Sequence, residues 1–453
     1  MTIRVVRVRL DSVPPSPTRP PTLTGRSTPL CTTGARHDLL PQTPTLELLP
    51  LRAALPTGQN SELTVLLRVH PAPAPSRNGT RPPLNLSFVI DRSGSMSGQP
   101  IEMARRAAQA AIRLMQPHDR VSVVAFDDSI DTVIAPQHVT DPETMCRAVE
   151  RVTDRGSTNL YGGWLEGAML TAQHLDPQAL NRVLILSDGQ ANAGETRTDV
   201  IAQHVRGLTA RGVSTSTVGL GRHYDETLLQ AMADAGDGNY EHIENEEGLP
   251  AFFSAELQGL TRTTGQTVSL GIEPNPALGS LRCDVLNDLP RNSYGRWQLP
   301  NLKAGQPLEV VLTLHVPAQG AAPATGVTRV RLAWNDRQGV RQTLRAQLTL
   351  PVLNADAYAA LPDDPRVALA AERLHAARVR EQAVTYAAAG DLSMSRAALT
   401  RESQRLSALH IDGLQTDVDE LLNLDQDFAT DERLARKRAA SQSYNVRRSK
   451  PGL

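Results

Sequence analysis

An apolar run of strand length that ends in an aspartate is the feature that most constrains the fold of this chain. Residues 86–90 read Leu-Ser-Phe-Val-Ile, Asp91 follows, and hydroxyl side chains stand at Ser93 and Ser95 before a helical pattern begins near Pro100. A carboxylate and two small hydroxyls at the end of a strand supply the oxygen ligands that Mg²⁺ prefers. The segment therefore predicts half of a cation site.

The region around this segment alternates between strand and helix patterns. Several of the strand candidates are continuous Val/Ile/Leu runs, as expected for strands that are covered on both faces. Strands are predicted at 86–90, 120–126, 132–135, 182–186, 213–218 and 239–243, and helices at 100–115, 142–152, 160–175, 198–211, 225–235 and 246–260. This alternation predicts an α/β domain with a mostly parallel sheet, which we assign to residues 84–262.

The chain changes character on both sides of this domain. Residues 1–45 are rich in Pro, Thr and Ser and predict a flexible leader. Residues 263–355 show closely spaced alternating strands, which predict an antiparallel β-sandwich. Residues 46–83 contain a strand pattern at 61–70 but lack partners of their own. We therefore expect this β segment to pair with the later sandwich, so that the α/β domain is an insertion into it.

The C-terminal part of the chain has a helical composition. Residues 360–440 contain many Ala, Arg, Leu and Glu and few β-branched residues, which predicts a helical hairpin or three packed helices. Residues 441–453 carry Arg447, Arg448 and Lys450 without any acid, and predict a disordered basic tail. For this tail a solubilising role is favoured over contact with phosphate.

Composition excludes several classes of protein. The chain has 453 residues, of which 40% are apolar and 21% charged, and its net charge of −1 gives no bias toward nucleic acid or acidic lipid. The N-terminal stretch lacks the apolar core of a secretory signal, and no stretch approaches transmembrane length. Three widely spaced cysteines argue against a disulfide framework. We therefore expect a cytoplasmic protein, of bacterial origin, with neither a membrane nor a nucleic acid as partner.

Two further segments supply the missing half of the cation site. Gly156-Ser-Thr158 lies on a loop before a helical pattern, and an apolar run at 183–186 leads through Ser187 into Asp188. The carboxyl ends of parallel strands share one edge of a sheet, and ligands bind at that edge. Asp91 and Asp188 are therefore expected to converge although they lie far apart in the sequence.

These three segments resemble a known site. Asp-x-Ser-x-Ser, a downstream Gly-Ser-Thr and a Ser-Asp-Gly after a strand are similar, in this order, to the metal-ion-dependent adhesion site of von Willebrand factor type A (VWA) domains. The segment 219–229 also looks like the loop between the fifth strand of that family and its helix. The resemblance covers about 84–260. Outside it, the order of β segments and helices is similar to bacterial intracellular VWA proteins and to the inter-alpha-trypsin-inhibitor-like group.

The resemblance implies a Rossmann-like fold and a role for each site residue. Ser93 and Ser95 would bind the metal through their hydroxyls, and Thr158 would bind directly or through water. Asp91 and Asp188 would act mostly through bridging waters. The implied cofactor is Mg²⁺, with Mn²⁺ or Ca²⁺ as alternatives. Neutral ligands leave the ion electron-poor, so that a Glu or Asp of a protein partner completes the coordination. The chain would then be a non-enzymatic scaffold or adaptor.

Some alternatives stay open at this point. Ser-Gly-Ser after a strand is also found in plain turns. Asp127-Asp128 after the second strand could neighbour the site, but two acids in a loop are usually solvated, and we expect the same here. Gly219-x-Gly221 lacks the other residues of a phosphate loop. The alternative function is a regulatory subunit of a separate AAA+ ATPase machine, MoxR- or chelatase-like, because VWA domains occur beside such ATPases and this chain has no Walker motif.

Overall fold

The structure, a computed structural model, describes residues 43–73, 82–176, 178–188, 190–221, 224–243, 256, 259, 262–292 and 294–449. The predicted leader lies outside these residues up to position 42, and a strand begins at Thr45. The predicted helix 246–260 also lies outside them, apart from residues 256 and 259.

The strands of the described part form three sheets. In chain order they are β1 (Thr45–Pro50), β2 (Leu55–Pro56), β3 (Ser61–His70), β4 (Leu84–Asp91), β5 (Arg120–Phe126), β6 (Ile130–His138), β7 (Leu180–Ser187), β8 (Val213–Leu220), β9 (Asp237–Ile243), β10 (Thr263–Pro274), β11 (Arg282–Val285), β12 (Trp297–Leu299), β13 (Leu302–Lys303), β14 (Leu308–Val316), β15 (Ala322–Asn335) and β16 (Arg341–Leu353).

The helices surround one sheet and form a layer of their own later in the chain. They are α1 (Gln99–Leu114), α2 (Pro142–Glu150), α3 (Leu160–Gln173), α4 (Thr198–Thr209), α5 (Glu226–Ala235), α6 (Ala355–Ala359), α7 (Pro365–Ala388), α8 (Leu392–Leu409), α9 (Gln415–Thr430) and α10 (Glu432–Arg447). None of the described helices is both long enough and apolar enough to cross a membrane.

The central sheet of the α/β region has the strand order β6-β5-β4-β7-β8-β9. All neighbours are parallel except β6, which runs antiparallel to β5 and extends the short strand predicted at 132–135. All residues of β4 are buried: Phe88 faces one hydrophobic cluster and Val89 the other. Burial on both faces explains the near-continuous apolar runs. The predicted α/β fold with a mostly parallel sheet is confirmed.

Helix α3 packs unusually close to this sheet because two of its residues are glycines. A Cβ at Gly167 would lie 2.4 Å from Cγ2 of Val89, and a Cβ at Gly163 would lie 2.5 Å from the ring of Phe126. Any larger residue would push the helix away. The close approach fixes the start of α3, and with it the loop that carries Thr158, against the ends of β4 and β5.

The other two sheets form the sandwich. Their strands come from the sequence before and after the α/β region. One has the order β1-β3-β14-β11, and the other β12-β10-β15-β16-β2 with β13 beside β10. Strand β3 pairs antiparallel with β14 along its full length, from Ser61 opposite Val316 to Val69 opposite Leu308. The α/β region thus lies, in sequence, between two strands that are neighbours in space. The residue boundaries of these units stay a prediction.

The described C-terminal layer contains four helices, α7 to α10, where a hairpin or three packed helices were predicted. Helix α9 buries Leu421 and Phe428. Helix α10 then begins at Glu432, capped by the Asp431 side chain, which accepts a hydrogen bond from the amide of Leu434. It contacts α7, α9, α5 and β9.

The prediction of a disordered tail at 441–453 is wrong for residues 441–449. Helix α10 continues to Arg447, and Tyr444 is buried with its hydroxyl donating to the carbonyl of Gly238. Arg447 binds Asp288 and Glu381, and Arg448 binds Asp234. The acids that neutralise these arginines come from other elements, so a local reading of charge could not detect them. Residues 450–453 lie outside the described part.

Candidate metal site

Asp91 ends β4 and is held from two sides. Its Oδ1 accepts a hydrogen bond from the backbone amide of Ser93 at 2.9 Å, and its Oδ2 accepts one from the Ser187 hydroxyl at 2.5 Å. Ser187 is the last residue of β7, the parallel neighbour of β4. The side chain of Asp91 is fully buried. These bonds fix the carboxylate at the carboxyl edge of the sheet and tie the two strand ends together.

A chain of side-chain hydrogen bonds leads from the first loop to the second. The hydroxyls of Ser93 and Ser95 lie 3.1 Å apart, and the Ser95 hydroxyl donates to Oδ1 of Asp188 at 3.0 Å. Ser93 and Asp188 are buried, whereas Ser95 is exposed. The structure therefore brings together Asp91, Ser93, Ser95 and Asp188 at one edge of the sheet, and their polar atoms reach solvent at Ser95.

Thr158 lies on a third loop that is tied to the other two through the backbone. The amide of Gly94 donates to the carbonyl of Gly156 at 3.0 Å. The amide of Thr158 donates to Oδ1 of Asn192 at 2.8 Å, and the amide of Asn192 donates back to the carbonyl of Thr158 at 3.1 Å. Thr158 is 3% exposed. All five predicted site residues thus belong to three loops that contact each other.

The electrostatics of the two carboxylates favour a cation. Burial raises the pKa of Asp91, against hydrogen bonds from Ser187 and Ser93 that lower it. Burial also raises the pKa of Asp188 to about 6; the hydrogen bond from Ser95 opposes this, and the charge of Asp91 adds to it. No arginine, lysine or histidine of the described residues forms an ion pair with either acid. Two acids and three hydroxyls, all hard oxygen donors, fit Mg²⁺ or a similar ion.

The structure reveals one further residue of the site that the sequence reasoning missed. Asp127, expected to be solvated, is fully buried. Its Oδ1 accepts from the amide and the hydroxyl of Ser129, both at 2.7 Å, and its Oδ2 accepts from Nε of Arg155 at 2.6 Å. Arg92 lies 3.3 Å from the same oxygen. Burial would raise its pKa, but these hydrogen bonds and the arginine charge lower it to about 2.

The two arginines belong to the loops of the candidate site themselves. Arg92 stands between Asp91 and Ser93, and Arg155 precedes Gly156; the amide of Arg155 donates to the carbonyl of Arg92 at 2.6 Å. Both side chains also bind Asp131. Asp127 therefore clamps the first loop to the Thr158 loop. The sequence feature that could have identified Asp127 is its position after a buried strand, which it shares with Asp91 and Asp188.

The Gly219-x-Gly221 segment has a packing role. A Cβ at Gly219 would lie 2.2 Å from the ring of Tyr224, so only glycine allows the tyrosine to fold back over the end of β8. The Tyr224 hydroxyl forms hydrogen bonds with Tyr240 at 3.0 Å and with His242 at 2.9 Å.

The comparisons with known proteins point to one family. Residues 85–255 match the sequence model described as "von Willebrand factor type A domain". The uncharacterized protein sll0103 of Synechocystis is 31% identical over 207 residues, which are 45% of this chain and 46% of that protein. Human inter-alpha-trypsin inhibitor heavy chain H3 is 28% identical over 223 residues, 47% of this chain and 24% of the relative. The chain thus spans less than half the length of these curated relatives.

A solved structure extends the likeness to the sandwich and the helices. The von Willebrand factor type A protein from Catenulispora acidiphila superposes with a TM-score of 0.66 at 18% identity and covers 84% of this chain and 90% of its own. At this identity the likeness concerns the fold alone. We therefore identify the α/β region of this chain as a von Willebrand factor type A domain, from the match at residues 85–255, the strand order and the three converging loops.

Proposed function

We propose that the chain is a non-enzymatic protein-binding module whose VWA domain binds a divalent cation, and through it an acidic side chain of a partner. The single observation that carries the proposal is the chain of hydrogen bonds that joins Asp91, Ser93, Ser95 and Asp188 at one edge of the sheet. Binding of proteins is the common role of VWA domains, and the family match at residues 85–255 supports that coarser statement.

Each site residue receives a role from its chemistry. Ser93, Ser95 and Thr158 would hold Mg²⁺, or Mn²⁺ or Ca²⁺, through hydroxyl oxygens. Asp91 and Asp188 would neutralise its charge, mostly through bridging waters. When bound, the cation supplies a coordination position that a Glu or Asp of a partner can fill. Ser95 is exposed, which makes this edge reachable from outside.

The hydrogen bonds of Asp91 favour binding over catalysis. Ser187 and the Ser93 amide occupy one direction on each of its oxygens. A base that activates water needs a free oxygen within hydrogen-bond reach of its substrate. In this arrangement Asp91 orients the loop and contributes charge, and the hydroxyls of Ser93 and Ser95 bond to each other and to Asp188 rather than to a histidine or lysine of the described residues.

Metal binding is tested first without any partner. Mg²⁺ or Mn²⁺ titrated into the chelator-treated protein should raise the melting temperature, because a ligand that binds only the folded state stabilises it. Ser93→Ala should remove the shift. The matched control is Ser97→Ala, an exposed serine on the same loop that follows the short helical turn Gly94–Met96. A shift of equal size in both variants would refute the site.

Partner binding is tested next. A pull-down from native-host lysate, with and without chelator, should recover a protein only when the metal is present, and Asp188→Ala should abolish its capture. Capture that survives both chelator and Asp188→Ala would overturn the proposal. Recovery of an AAA+ ATPase in the metal-dependent fraction would assign this site to the alternative, a regulatory subunit of such a machine.

A further inference from the structure

The outer surface of the larger sandwich sheet carries an unusual set of arginines. On β15 the inward residues Val330 and Leu332 are buried, and Arg331 stands between them on the opposite face. On β16, Arg345 stands in the same way between Leu344 and Ala346. Because side chains alternate along a strand, both arginines point away from the core.

The register places these arginines in one row across the sheet. Arg331 is directly opposite Arg345 on one side and Gly271 of β10 on the other. Arg296 precedes Trp297, which pairs with Leu270, so Arg296 lies at the level of Gly271. Like charges directly opposite each other on neighbouring strands destabilise a sheet. This row of arginines therefore makes the sheet less stable than apolar or oppositely charged residues at the same positions would.

No acid of the described residues neutralises this row. Arg296, Arg331 and Arg345 form no ion pair there, whereas arginines on the smaller sheet do: Arg68 binds Glu309 at 2.6 Å and Arg282 binds Asp284 at 3.0 Å. The Nε of Arg331 is buried and has no hydrogen-bond partner among the described residues. An anion bound on this surface would supply the missing acceptor.

A fourth arginine is held in place beside the row. Nη1 of Arg341 donates to the carbonyl of Thr267 at 2.7 Å, and its Nη2 donates to the Ser269 hydroxyl at 2.8 Å. Thr267 has a φ of 52° at an irregularity of β10, a left-handed conformation that is strained for a β-branched residue. Partial burial lowers the pKa of Arg341, and the charges of Arg296 and Arg331 lower it further.

We propose that this surface, the arginine face (Arg296, Arg331, Arg341 and Arg345), binds an acidic segment of a protein partner, independently of the candidate metal site. Arginine forks pair with carboxylates through two parallel hydrogen bonds, and Gly271 leaves room above the row. The outward neighbours Ser269, Ala333 and Thr343 carry no aromatic ring, and Tyr294 beside Arg341 is a single exposed ring, whereas single-stranded nucleic acid stacks successive bases on several rings. Charge complementarity therefore favours a run of Asp and Glu.

The test uses the full chain with chelator present, so that the candidate metal site cannot contribute to binding. Binding of a fluorescein-labelled oligoglutamate peptide is followed by anisotropy over a series of salt concentrations. Arg331→Gln with Arg345→Gln should weaken binding about tenfold or more, since two charge-assisted pairs are lost. The matched control, Arg147→Gln with Arg401→Gln, removes the same charge from exposed helical positions and should leave the affinity within about twofold.

A stability readout separates binding from folding. Removing the opposed charges should leave the melting temperature of the Arg331/Arg345 variant equal or higher while the affinity falls. A variant that melts earlier and binds less would make the loss an unfolding effect and overturn the proposal, as would equal binding by both double variants. Tighter binding of oligothymidylate, or of phosphatidylserine vesicles, than of oligoglutamate would also overturn it, in favour of nucleic acid or membrane.

Discussion

Asp127 holds Arg155 with a distance of 2.6 Å between carboxylate Oδ2 and guanidinium Nε. The same carboxylate reaches Arg92 on the neighbouring loop. One buried acid thus sets the spacing between the loop of Ser93 and Ser95 and the loop of Thr158. It does so without being a candidate ligand itself.

Asp127→Asn should therefore weaken Mg²⁺ binding although every candidate ligand is kept. Loss of the charge leaves both arginines paired with the half-exposed Asp131 alone, and the change should cost about 1.5–3 kcal/mol in the free energy of unfolding as well. The measurement is a Mg²⁺ titration by calorimetry beside a urea denaturation. Asp128→Asn, the exposed neighbour, is the control and should change neither. Unchanged Mg²⁺ affinity in a folded Asp127→Asn protein would contradict the clamp.

Two helical glycines should respond in opposite directions to the same substitution. Gly167→Ala places a Cβ 2.4 Å from Val89 and should destabilise the protein by about 1–3 kcal/mol. Gly207→Ala in α4 meets nothing within 4 Å and should stabilise it by up to about 1 kcal/mol, through helix propensity. Urea denaturation of both variants decides. Equal signs would mean that α3 does not pack as closely as the structure indicates.

The contact between α10 and the VWA domain depends on a buried lysine. Nζ of Lys437 donates to the carbonyl of Tyr224 at 2.7 Å and to Glu226 at 3.0 Å. Lys437→Met leaves Glu226 with Arg436 alone, and the free energy of unfolding should fall by about 3 kcal/mol. Adding Glu226→Gln to this variant should cost less than Glu226→Gln alone, because the pair with Lys437 is already lost. Additive losses in the double variant would argue against the pairing.

The pH dependence of stability should reveal the pair between Arg182 and Glu256. Burial would raise the pKa of Glu256, but the charges of Arg182 and Lys303 and hydrogen bonds from Arg182 and Asn239 lower it to about 2. A lowered pKa in the folded state means stability that is present above the ordinary value near 4.5 and lost as pH falls toward 2.

Urea denaturation at a series of pH values below 6 measures this loss. Glu256→Gln should be less stable at neutral pH, since the Arg182 charge is left unpaired in the interior, and its stability should fall less steeply in acid. Parallel curves for the two proteins would show that the pair does not contribute.

The α/β fold could be predicted from the sequence because its signals are local. A strand buried on both faces, such as β4, is a continuous apolar run, and its terminal aspartate marks the edge at which ligands bind. The same logic brought Asp91 and Asp188 together. It also applied to Asp127 at the end of β5, but two adjacent acids looked solvated, because the arginines that pair with Asp127 lie on other loops.

The C-terminal helix could not be predicted in this way. Residues 441–449 have no acid of their own, and their charge pattern alone is typical of a disordered tail. Their partners, such as Asp234, Asp288 and Glu381, come from three different parts of the chain. Long-range neutralisation of charge leaves no trace in a local window, so the fold of this segment depends on the rest of the molecule.

Helix α10 also has a consequence for the order in which the chain is made. Tyr240 and Tyr444 meet at a centroid distance of 5.6 Å, and the hydrogen bond from Tyr444 to Gly238 joins residues separated by 206 positions. At a synthesis rate of about 5–20 residues per second, β9 leaves the ribosome roughly 10–40 s before α10, the helix that covers it. During that interval an aromatic surface is open to solvent. The nascent VWA domain thus has a period in which chaperones, or other chains, compete with α10 for that surface.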